Sequence, residues 1–384
     1  MPIDIRGRIP FNGKQPLSDT AAGRYGAFFI QAPTPATADP SVIVRAAREQ
    51  EALGYDSSLI PQSSSRPDVW ACTGWALAAT RALKLVAAHR IGWQQPTLAA
   101  RTLATLDRLS NGRQSVHVLQ GRTEIDQRRD GDFLDKAQRY ARSHEYLDIF
   151  IRTLTATEPF SCAGEFYAVK DAFADIKPVQ TPYPLLHLPG GSPAGLDLVA
   201  KYADSWAVAG HSVEEVGRGI AQLQQLAGER YGRRIERFWS GGFNVILAPT
   251  VEQAWVKAEA IAAEVQRFIS EGHAPQRVLT EAERLAAGAD DRPDQALYLR
   301  LARLTGHGPS LVGSPESVAD AVLAYYQAGV TTLTLGGLCE YFSYDGSDLI
   351  TAEDRHLLRS LIALIRQRVA KVDGQRAKPV AANQ

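Results

Sequence analysis

Short apolar runs alternate with amphipathic stretches along most of this chain. The apolar runs have the length and composition of buried strands, and they fall at residues 26–32, 56–61, 83–89, 114–120, 184–189, 204–209, 241–248 and 330–336. The stretches between them have helical spacing and predict helices near 40–53, 68–81, 96–109, 135–156, 193–202, 212–230, 251–270 and 352–371. Parallel strands joined by crossover helices produce this alternation.

Eight strand and helix pairs in one chain predict an α/β fold of the (β/α)8 TIM-barrel type. A doubly wound open sheet is the main competitor. Such a sheet normally carries the dinucleotide fingerprint Gly-x-Gly-x-x-Gly after an early strand, and this chain has no such motif. The segment GHGPSL at 306–311 lacks the last glycine. We therefore predict the barrel.

The domain organisation follows from the same pattern. Residues 1–25 are polar and rich in glycine and proline, so they are expected to form an N-terminal extension. Residues 26–372 are expected to form a single barrel domain, and 373–384 a flexible C-terminal tail. Residues 161–172 resemble a small hairpin. The polar stretch 271–309, before the last strand, exceeds what a minimal barrel needs and is expected to be a mobile insertion that acts as a lid.

The composition excludes several classes of function. The chain of 384 residues has 42 basic and 42 acidic side chains, so no net charge favours nucleic acid or an acidic lipid surface. Its three cysteines lack Cys-x-x-Cys spacing, and its eight histidines form no metal-ligand motif. The N-terminus has no apolar signal region, and no run of about 18 apolar residues occurs. We expect a cytoplasmic protein with no membrane, nucleic-acid or metal partner.

Polar side chains gather at the predicted carboxyl ends of the strands, where a TIM barrel carries its active site. In chain order these residues are Gln62 and Arg66, His89 and Arg90, Gln120, Gly121 and Arg122, and Gly190, Gly191 and Ser192. Several guanidinium groups without a carboxylate cluster suit an anionic ligand, although each arginine could instead lie on a solvated loop. His117, inside the strand over 114–120, is interpreted as a packed core histidine. His89 ends its strand and is the better functional candidate.

The segment PGGSPAG at 189–195 suggests a phosphate site. Its two glycines permit close backbone approach, and Ser192 followed by Pro193 is typical of a helix start, where N–H groups face an anion. A tight turn without a ligand is the alternative. A serine hydrolase elbow is excluded because Ala194 replaces the last glycine of Gly-x-Ser-x-Gly and Pro193 has no N–H for an oxyanion.

Four segments carry a resemblance to a known family: PTLAARTLATLDRLSNGR (96–113), RRDGDFLDKAQRYARSHEYLDI (128–149), PGGSPAGLDLVAKYADSWAVAG (189–210) and LVGSPESVADAVLAYYQAGV (311–330). Over roughly residues 26–345 the chain resembles the bacterial luciferase-like flavin monooxygenases, and among them the alkanesulfonate monooxygenase group. The resemblance implies a (β/α)8 barrel, a homo-oligomer (dimer or tetramer), and reduced FMN that a separate flavin reductase supplies for reaction with O2.

The resemblance also assigns roles by position. The resemblance and the strand-end positions together give the expected cofactor-binding residues. These are Gln62, His89, Arg90, Gln120, Gly121, Tyr140, Gly190, Gly191 and Ser192. The expected catalytic residues are Arg303, His89 and Arg66. The expected substrate-binding residues are Arg66, Arg90, Arg122 and Arg303.

The chain also departs from the alkanesulfonate group. Arg66 lies in the loop where that group has a cysteine, and the group's histidine after the first strand aligns near Pro35. The group's arginine and histidine on the seventh strand align with Gly242 and Asn244. Its tyrosine and histidine after the eighth strand fall in GGLCEYF, where neither is present at the matching place.

These observations predict an FMNH2-dependent two-component monooxygenase that acts on a small organic substrate, with alkanesulfonates and other organosulfonates as one candidate class. Three alternatives stay open. The first is a related oxidoreductase acting on a neutral or carboxylate substrate. The second is an enzyme that uses the deazaflavin F420. The third is a protein that binds flavin without turnover.

Overall fold

Eight parallel strands hydrogen-bond in a closed ring, as seen in a computed structural model that describes residues 2–30, 38–121, 123–208, 212–275, 290–337 and 348–376. The strands are β1 (Asp4–Arg8), β2 (Ser57–Ile60), β3 (Lys84–Arg90), β4 (Gln114–Leu119), β5 (Phe160–Ala163), β6 (Ala168–Ala172), β7 (Leu186–Pro189), β8 (Ser205–Val208), β9 (Arg237–Leu247), β10 (Leu297–Tyr298), β11 (Ser310–Gly313) and β12 (Thr332–Gly336). The ring runs β1-β2-β3-β4-β7-β8-β9-β12 and closes between β12 and β1. The predicted TIM barrel is confirmed.

The helices cover the outside of this ring. They are α1 (Ala21–Gly26), α2 (Pro40–Leu53), α3 (Val69–Ala79), α4 (Pro96–Leu109), α5 (Glu124–Arg129), α6 (Lys136–Thr155), α7 (Pro193–Tyr202), α8 (Val213–Tyr231), α9 (Val251–Ser270), α10 (Arg300–Thr305), α11 (Pro315–Gln327) and α12 (Ala352–Arg376). All eight predicted helices are present with ends close to those expected. Their apolar faces pack on the outward side chains of the strands and form one continuous core.

The first strand was placed wrongly by the sequence pattern. Residues 26–32 were expected to form it, but α1 ends at Gly26 and Ile30 forms an isolated bridge with Pro275. The first strand is β1, which pairs with β12 and β2. The expected N-terminal extension over 1–25 is therefore wrong, because residues 4–8 close the barrel.

The physical reason is an unusual strand composition. Arg6 of β1 is 2% exposed, donates from Nε to the Ser57 hydroxyl at 2.8 Å and forms an ion pair with Asp4 at 3.0 Å. Its guanidinium lies 4.4 Å from the ring centroid of Trp239 on β9, two strands away in the ring. An arginine that is paired and stacked in this way can be buried. Because β1 contains such charged residues, its sequence has the pattern of a polar extension rather than that of a buried strand.

The barrel interior is polar around Arg6 and Trp239. His117 of β4 donates a hydrogen bond from Nδ1 to the His187 carbonyl at 3.2 Å, and its ring lies 4.8 Å from that of Trp239. Trp239 donates its indole N–H to the Thr334 hydroxyl at 2.7 Å. Contacts between β4 and β9, which are not neighbours, can form only inside the ring. The interpretation of His117 as a packed core histidine is confirmed.

Two additions lie outside the ring. Strands β5 and β6 form an antiparallel hairpin, as residues 161–172 predicted. Strand β11 pairs with the carboxyl half of β9, and β10 pairs with β11, so the ladder extends beyond the barrel. Residues 276–289, within the predicted lid, lie outside the described residues. The predicted C-terminal tail begins too early, because α12 continues through residue 376.

Candidate active site

The turn after β7 is built as the sequence predicted for a phosphate site. Helix α7 begins at Pro193, and the Ser192 hydroxyl caps it by accepting from the N–H of Gly195 at 3.3 Å. The same hydroxyl donates to the Tyr140 hydroxyl of α6 at 3.4 Å. The expected cofactor residues Tyr140 and Ser192 therefore lie together at the start of a helix, where the N–H groups and the helix dipole favour an anion.

Gly190 is required by this turn. A Cβ at that position would lie 2.8 Å from the carbonyl carbon and oxygen of Gly195, and the backbone has a φ of +156°. The Gly190 carbonyl also accepts a hydrogen bond from the indole N–H of Trp206 at 2.9 Å. The turn is thus held from β8, and its backbone packs closely against the start of α7.

The turn after β4 has a second close approach. Gly121 has a φ of +93°, and a Cβ there would lie 1.8 Å from Nε2 of Gln127 on α5. Gln120 is 7% exposed, and its amide donates weakly to the Val118 carbonyl at 3.5 Å. Glycine is favoured at 121 by its positive φ and by the Gln127 side chain, which occupies the space that a Cβ would take.

Buried amides without partners lie near these turns. Within the described part of the chain, both polar atoms of the Gln127 side chain and Nε2 of Gln62 are buried and have no hydrogen-bond partner. An unsatisfied buried amide costs about 1–3 kcal/mol, so such groups are expected to bind a ligand or water. Gln127 was not a predicted site residue, because its position within a charged run does not indicate that its side chain is buried.

Arg90 is occupied by the protein itself. It is 1% exposed, donates to the Asp126 carboxylate at 3.3 Å and pairs with Asp130, while its guanidinium lies 4.4 Å from the ring centroid of Trp93. Asp126 also accepts from the backbone and hydroxyl of Ser64. The charged run after β4 therefore ties the loops after β2 and β3 together. The geometry gives Arg90 a positioning role rather than the predicted contact with cofactor or substrate.

His89 faces the helices. Its Nε2 shares a 2.6 Å hydrogen bond with the Tyr146 hydroxyl of α6, and its ring lies 5.5 Å from that of Trp70. Burial, with a smaller contribution from the charge of Arg90, lowers the pKa of His89 to about 3. The ring is neutral at physiological pH and is held within the core, so the geometry does not support the predicted catalytic and cofactor-binding roles.

The remaining predicted arginines differ in their surroundings. Arg66 lines a groove of about 460 Å³ between the loops after β2 and β3, together with Ser63, Trp93 and Gln94. Arg303 of α10 forms an ion pair with Asp291 and donates to the Asp290 carbonyl. Its charge is thus compensated locally, and the predicted catalytic role has no support from its contacts. Arg122 lies outside the described residues.

A cluster at the carboxyl ends of β1 and β9 was not predicted from the sequence. Arg8, the last residue of β1, donates to the Asn244 side-chain carbonyl at 2.6 Å and lies 5.3 Å from the ring centroid of Phe28. Asn244 in turn donates to the Gly308 carbonyl at 3.2 Å. Pro35, the position matched to the family histidine, lies outside the described residues, and with β1 at 4–8 the chain after the first strand begins at Ile9.

His307 completes this cluster. Its ring packs against Phe28 at 4.6 Å and Phe29 at 5.3 Å, and its Nε2 is buried with no hydrogen-bond partner among the described residues. Burial lowers its pKa well below the usual value, and the nearby charges of Arg8, Lys14 and Arg66 lower it further. The positive charges of these three residues favour a neutral imidazole at His307. The segment GHGPSL contained this histidine, but its sequence position gave no indication of its neighbours.

The chain matches the model of the luciferase-like monooxygenase family over residues 24–332. It belongs to this family. Because the family consists of flavin-dependent monooxygenases, the prediction that the chain is an enzyme of this type is confirmed. The family match begins after β1, although that strand belongs to the barrel.

Solved structures of similar fold include EDTA monooxygenase from Chelativorans sp. BNC1, with 14% identity, a TM-score of 0.69 and coverage of 96% of this chain and 95% of that one. The oxygenating constituent of 3,6-diketocamphane monooxygenase from Pseudomonas putida, in complex with FMN, has 18% identity, a TM-score of 0.66 and coverage of 97% and 99%. The F420-dependent tetrahydromethanopterin reductase from Methanopyrus kandleri has 15% identity, a TM-score of 0.63 and coverage of 97% and 99%. At these identities the likeness shows the fold.

Neither a membrane span nor a metal cluster is present in the part of the chain that the structure describes. No helix there is long and apolar enough to cross a membrane. In the same ranges, no group of three or more histidine, cysteine, aspartate or glutamate side chains is arranged to hold a metal ion.

Proposed function

We propose that this enzyme is an FMNH2-dependent two-component monooxygenase that acts on a small organic anion, with organosulfonates as the first class to test. The observation that carries the proposal is the turn after β7, where Gly190, Ser192 and Tyr140 meet at the start of α7 in a member of the luciferase-like family. A separate flavin reductase and a homo-oligomer, dimer or tetramer, are part of the proposal. The cytoplasmic location stays a prediction.

The residues present fit a flavin mononucleotide. The N–H groups of Gly191 and of the first turn of α7, with the Ser192 and Tyr140 hydroxyls, would hold its phosphate. The buried amides of Gln62 and Gln127 would supply hydrogen bonds to the polar edge of its ring system. Reduced FMN, when bound, would supply the two electrons needed to activate O2. The protein's part is to orient the flavin and to keep water from the reacting atoms.

An anionic substrate is favoured by the charges around His307. Arg8, Lys14 and Arg66 lie near enough for their positive charges to lower the pKa of that histidine. Guanidinium groups bind sulfonate and carboxylate groups through paired hydrogen bonds. For a sulfonate, the balanced reaction converts substrate, O2 and reduced FMN into an aldehyde, sulfite, water and oxidised FMN, with cleavage of the C–S bond.

The cofactor is tested by binding. Reduced FMN and reduced F420 are titrated into the protein without oxygen, and each mixture is then exposed to O2. We expect tight binding of reduced FMN and reoxidation at a rate different from that of free flavin. Preference for F420 would support the hydride-transfer alternative, and failure to bind either flavin would refute the proposal.

The substrate is tested with a panel of alkane- and arenesulfonates, matched carboxylates and neutral analogues, in the presence of a flavin reductase. Sulfite release with aldehyde formation would establish C–S cleavage. Oxygenation of the carboxylates alone would retain the monooxygenase and reject the sulfonate. Absence of any oxygenated product despite tight FMN binding would favour a protein that binds flavin without turnover.

A further inference from the structure

The amino-terminal mouth of the barrel contains a second polar cavity, at the opposite end of the strands from the proposed flavin site. Its volume is about 330 Å³, and it is lined by residues at the strand starts, among them Asp4, Arg6, Lys84, His187 and Arg237. Lys84 and Arg237 are the first residues of β3 and β9. In TIM barrels this end ordinarily contributes to stability rather than to catalysis.

The cavity has an excess of positive charge. Its lining includes five basic residues, Arg6, Lys84, Arg113, Arg237 and Arg366, and two acidic residues, Asp4 and Asp56. Two ion pairs use both acids, since Arg6 pairs with Asp4 and Arg366 with Asp56, each at 3.0 Å.

The other three basic residues differ in their partners. Arg113 donates to the backbone carbonyls of Leu77, Leu83 and Ser110. Within the described ranges, neither Lys84 nor Arg237 has a carboxylate within salt-bridge distance. Two cationic side chains therefore lie at this mouth outside any ion pair of the described residues, with Lys84 exposed and the charge of Arg237 acting on the Asp204 carboxyl.

Buried donors deeper in the cavity also have no partners. Arg6 and His187 are both 2% exposed. Among the described residues, Nη1 of Arg6 and both ring nitrogens of His187 have no hydrogen-bond partner. A buried N–H of a guanidinium group without a partner costs more than an unsatisfied neutral group, so the arrangement favours an acceptor in the cavity.

We propose that this cavity binds a small oxyanion of the size and charge of phosphate or sulfate. The tetrahedral oxygens would accept from Arg6 Nη1 and from one ring nitrogen of His187 on the inside, and from Lys84 and Arg237 at the rim. Because these residues belong to β1, β7, β3 and β9, the anion would link four strands of the ring and stabilise its closure. The proposal does not depend on the identity of the flavin.

The test measures thermal unfolding and calorimetric binding with inorganic phosphate, sulfate and methyl phosphate, each against sodium chloride at equal ionic strength. A ligand that binds the folded state raises its stability by an amount that grows with the logarithm of its concentration relative to its Kd. We expect phosphate and sulfate to raise Tm above the chloride value. Methyl phosphate would show whether the site accepts the phosphate group of a larger molecule as well as the free ion.

The variant Lys84→Gln/Arg237→Gln removes the two rim charges and leaves the buried ion pair intact. Loss of charged hydrogen bonds predicts an increase of about tenfold or more in the phosphate dissociation constant. The matched control is Lys170→Gln/Arg218→Gln, which removes one lysine and one arginine that are exposed on β6 and α8. The control should bind phosphate as the unaltered protein does.

Phosphate could also bind at the turn after β7, so the titration is repeated with saturating FMN and with the Ser192→Ala variant. Binding that persists in both conditions and weakens in the rim variant supports the proposal. The proposal is overturned if phosphate stabilises no more than chloride, if the rim variant and its control behave alike, or if FMN or Ser192→Ala abolishes all binding.

Discussion

Substitution of Gly190 by alanine tests the assignment of the cofactor phosphate site. The added Cβ would lie 2.8 Å from backbone atoms of Gly195, at a φ of +156°. Carbon atoms in contact normally lie about 3.5–4.0 Å apart, so the two backbone segments must separate by about 0.7 Å or more. Neither neighbour is the end of a flexible side chain, and the turn itself must therefore move.

The expected magnitude follows from these contacts. Overpacking of this size typically costs about 1–3 kcal/mol, and an unfavourable backbone conformation for a residue with a Cβ adds about 1–3 kcal/mol. The turn is at the surface and can relax, so most of the effect should be displacement of the N–H groups rather than unfolding. Each loss of about 1.4 kcal/mol in binding is a tenfold change, which predicts an FMN dissociation constant about 10 to 100 times larger.

The assay is an anaerobic titration of reduced FMN and reduced riboflavin. Riboflavin lacks the phosphate, so Gly190→Ala should remove most of the preference for FMN and leave riboflavin binding nearly unchanged. The control is Gly228→Ala, because Gly228 lies in α8 and a Cβ added there would have no neighbouring atom within 4 Å. That variant should keep full FMN affinity and gain about 1 kcal/mol of stability through helix propensity.

A folded Gly190→Ala protein that binds reduced FMN as tightly as the unaltered protein would refute the assignment. Equal losses for FMN and riboflavin would place the damage in the ring site rather than at the phosphate. Either result would remove the reason for assigning Ser192 and Tyr140 to the cofactor.

Three other predictions concern stability and specificity. Glu51 accepts hydrogen bonds from the backbone N–H groups of residues 81–83, which outweigh the effect of burial and lower its pKa below the usual 4.5. A carboxyl group whose pKa is lower in the folded state stabilises the folded protein at pH values above the pKa of the unfolded state. This stabilisation is lost as the pH falls through the pKa of the folded state. Glu51→Gln should therefore cost about 1 kcal/mol in urea unfolding at neutral pH, with the difference shrinking in acid, and a constant difference would contradict this. Tyr146→Phe leaves His89 Nε2 buried without its partner, so it should cost about 1–3 kcal/mol with flavin affinity unchanged; a loss of turnover at unchanged stability would restore His89 as a functional residue. Arg8→Gln should raise KM for an acidic substrate about tenfold while leaving FMN affinity and neutral substrates unaffected, and an equal effect on neutral analogues would exclude a charge interaction.

Much of the fold could be predicted because its strands follow simple rules. Seven of the eight ring strands are apolar runs flanked by amphipathic helices, and the pattern identifies them directly. Strand β1 is the exception, since Arg6 is stabilised inside the barrel by contacts with Asp4, Ser57 and Trp239. Those partners are brought together only by the closed ring, so no local pattern could show that an arginine belonged to the core.

The turn after β7 was predictable for a different reason. Glycine, serine and proline act there through local backbone geometry, and the helix cap that Ser192 and Pro193 predict is present. The role of an arginine depends instead on which carboxylates the fold places beside it. Arg90 ends β3 and is held by Asp126 and Asp130, and Arg66, in the loop after β2, lines a groove.

The strand that closes the barrel also carries Arg8, which lies near the proposed substrate site. Arg8 ends β1 and reaches Asn244 on β9, while Arg6, two residues earlier, packs on Trp239 of β9 inside the ring. Two inward side chains of β1 therefore contact β9 at positions five residues apart, on either side of a register shift in its pairing with β12. Under the proposed function, a change in Arg8 would alter the charge near His307 and leave the contacts of Arg6 in place, so we expect substrate preference to change while the ring stays closed. Because β1 lies before residues 24–332, which match the family model, we expect this effect to arise outside the matched segment.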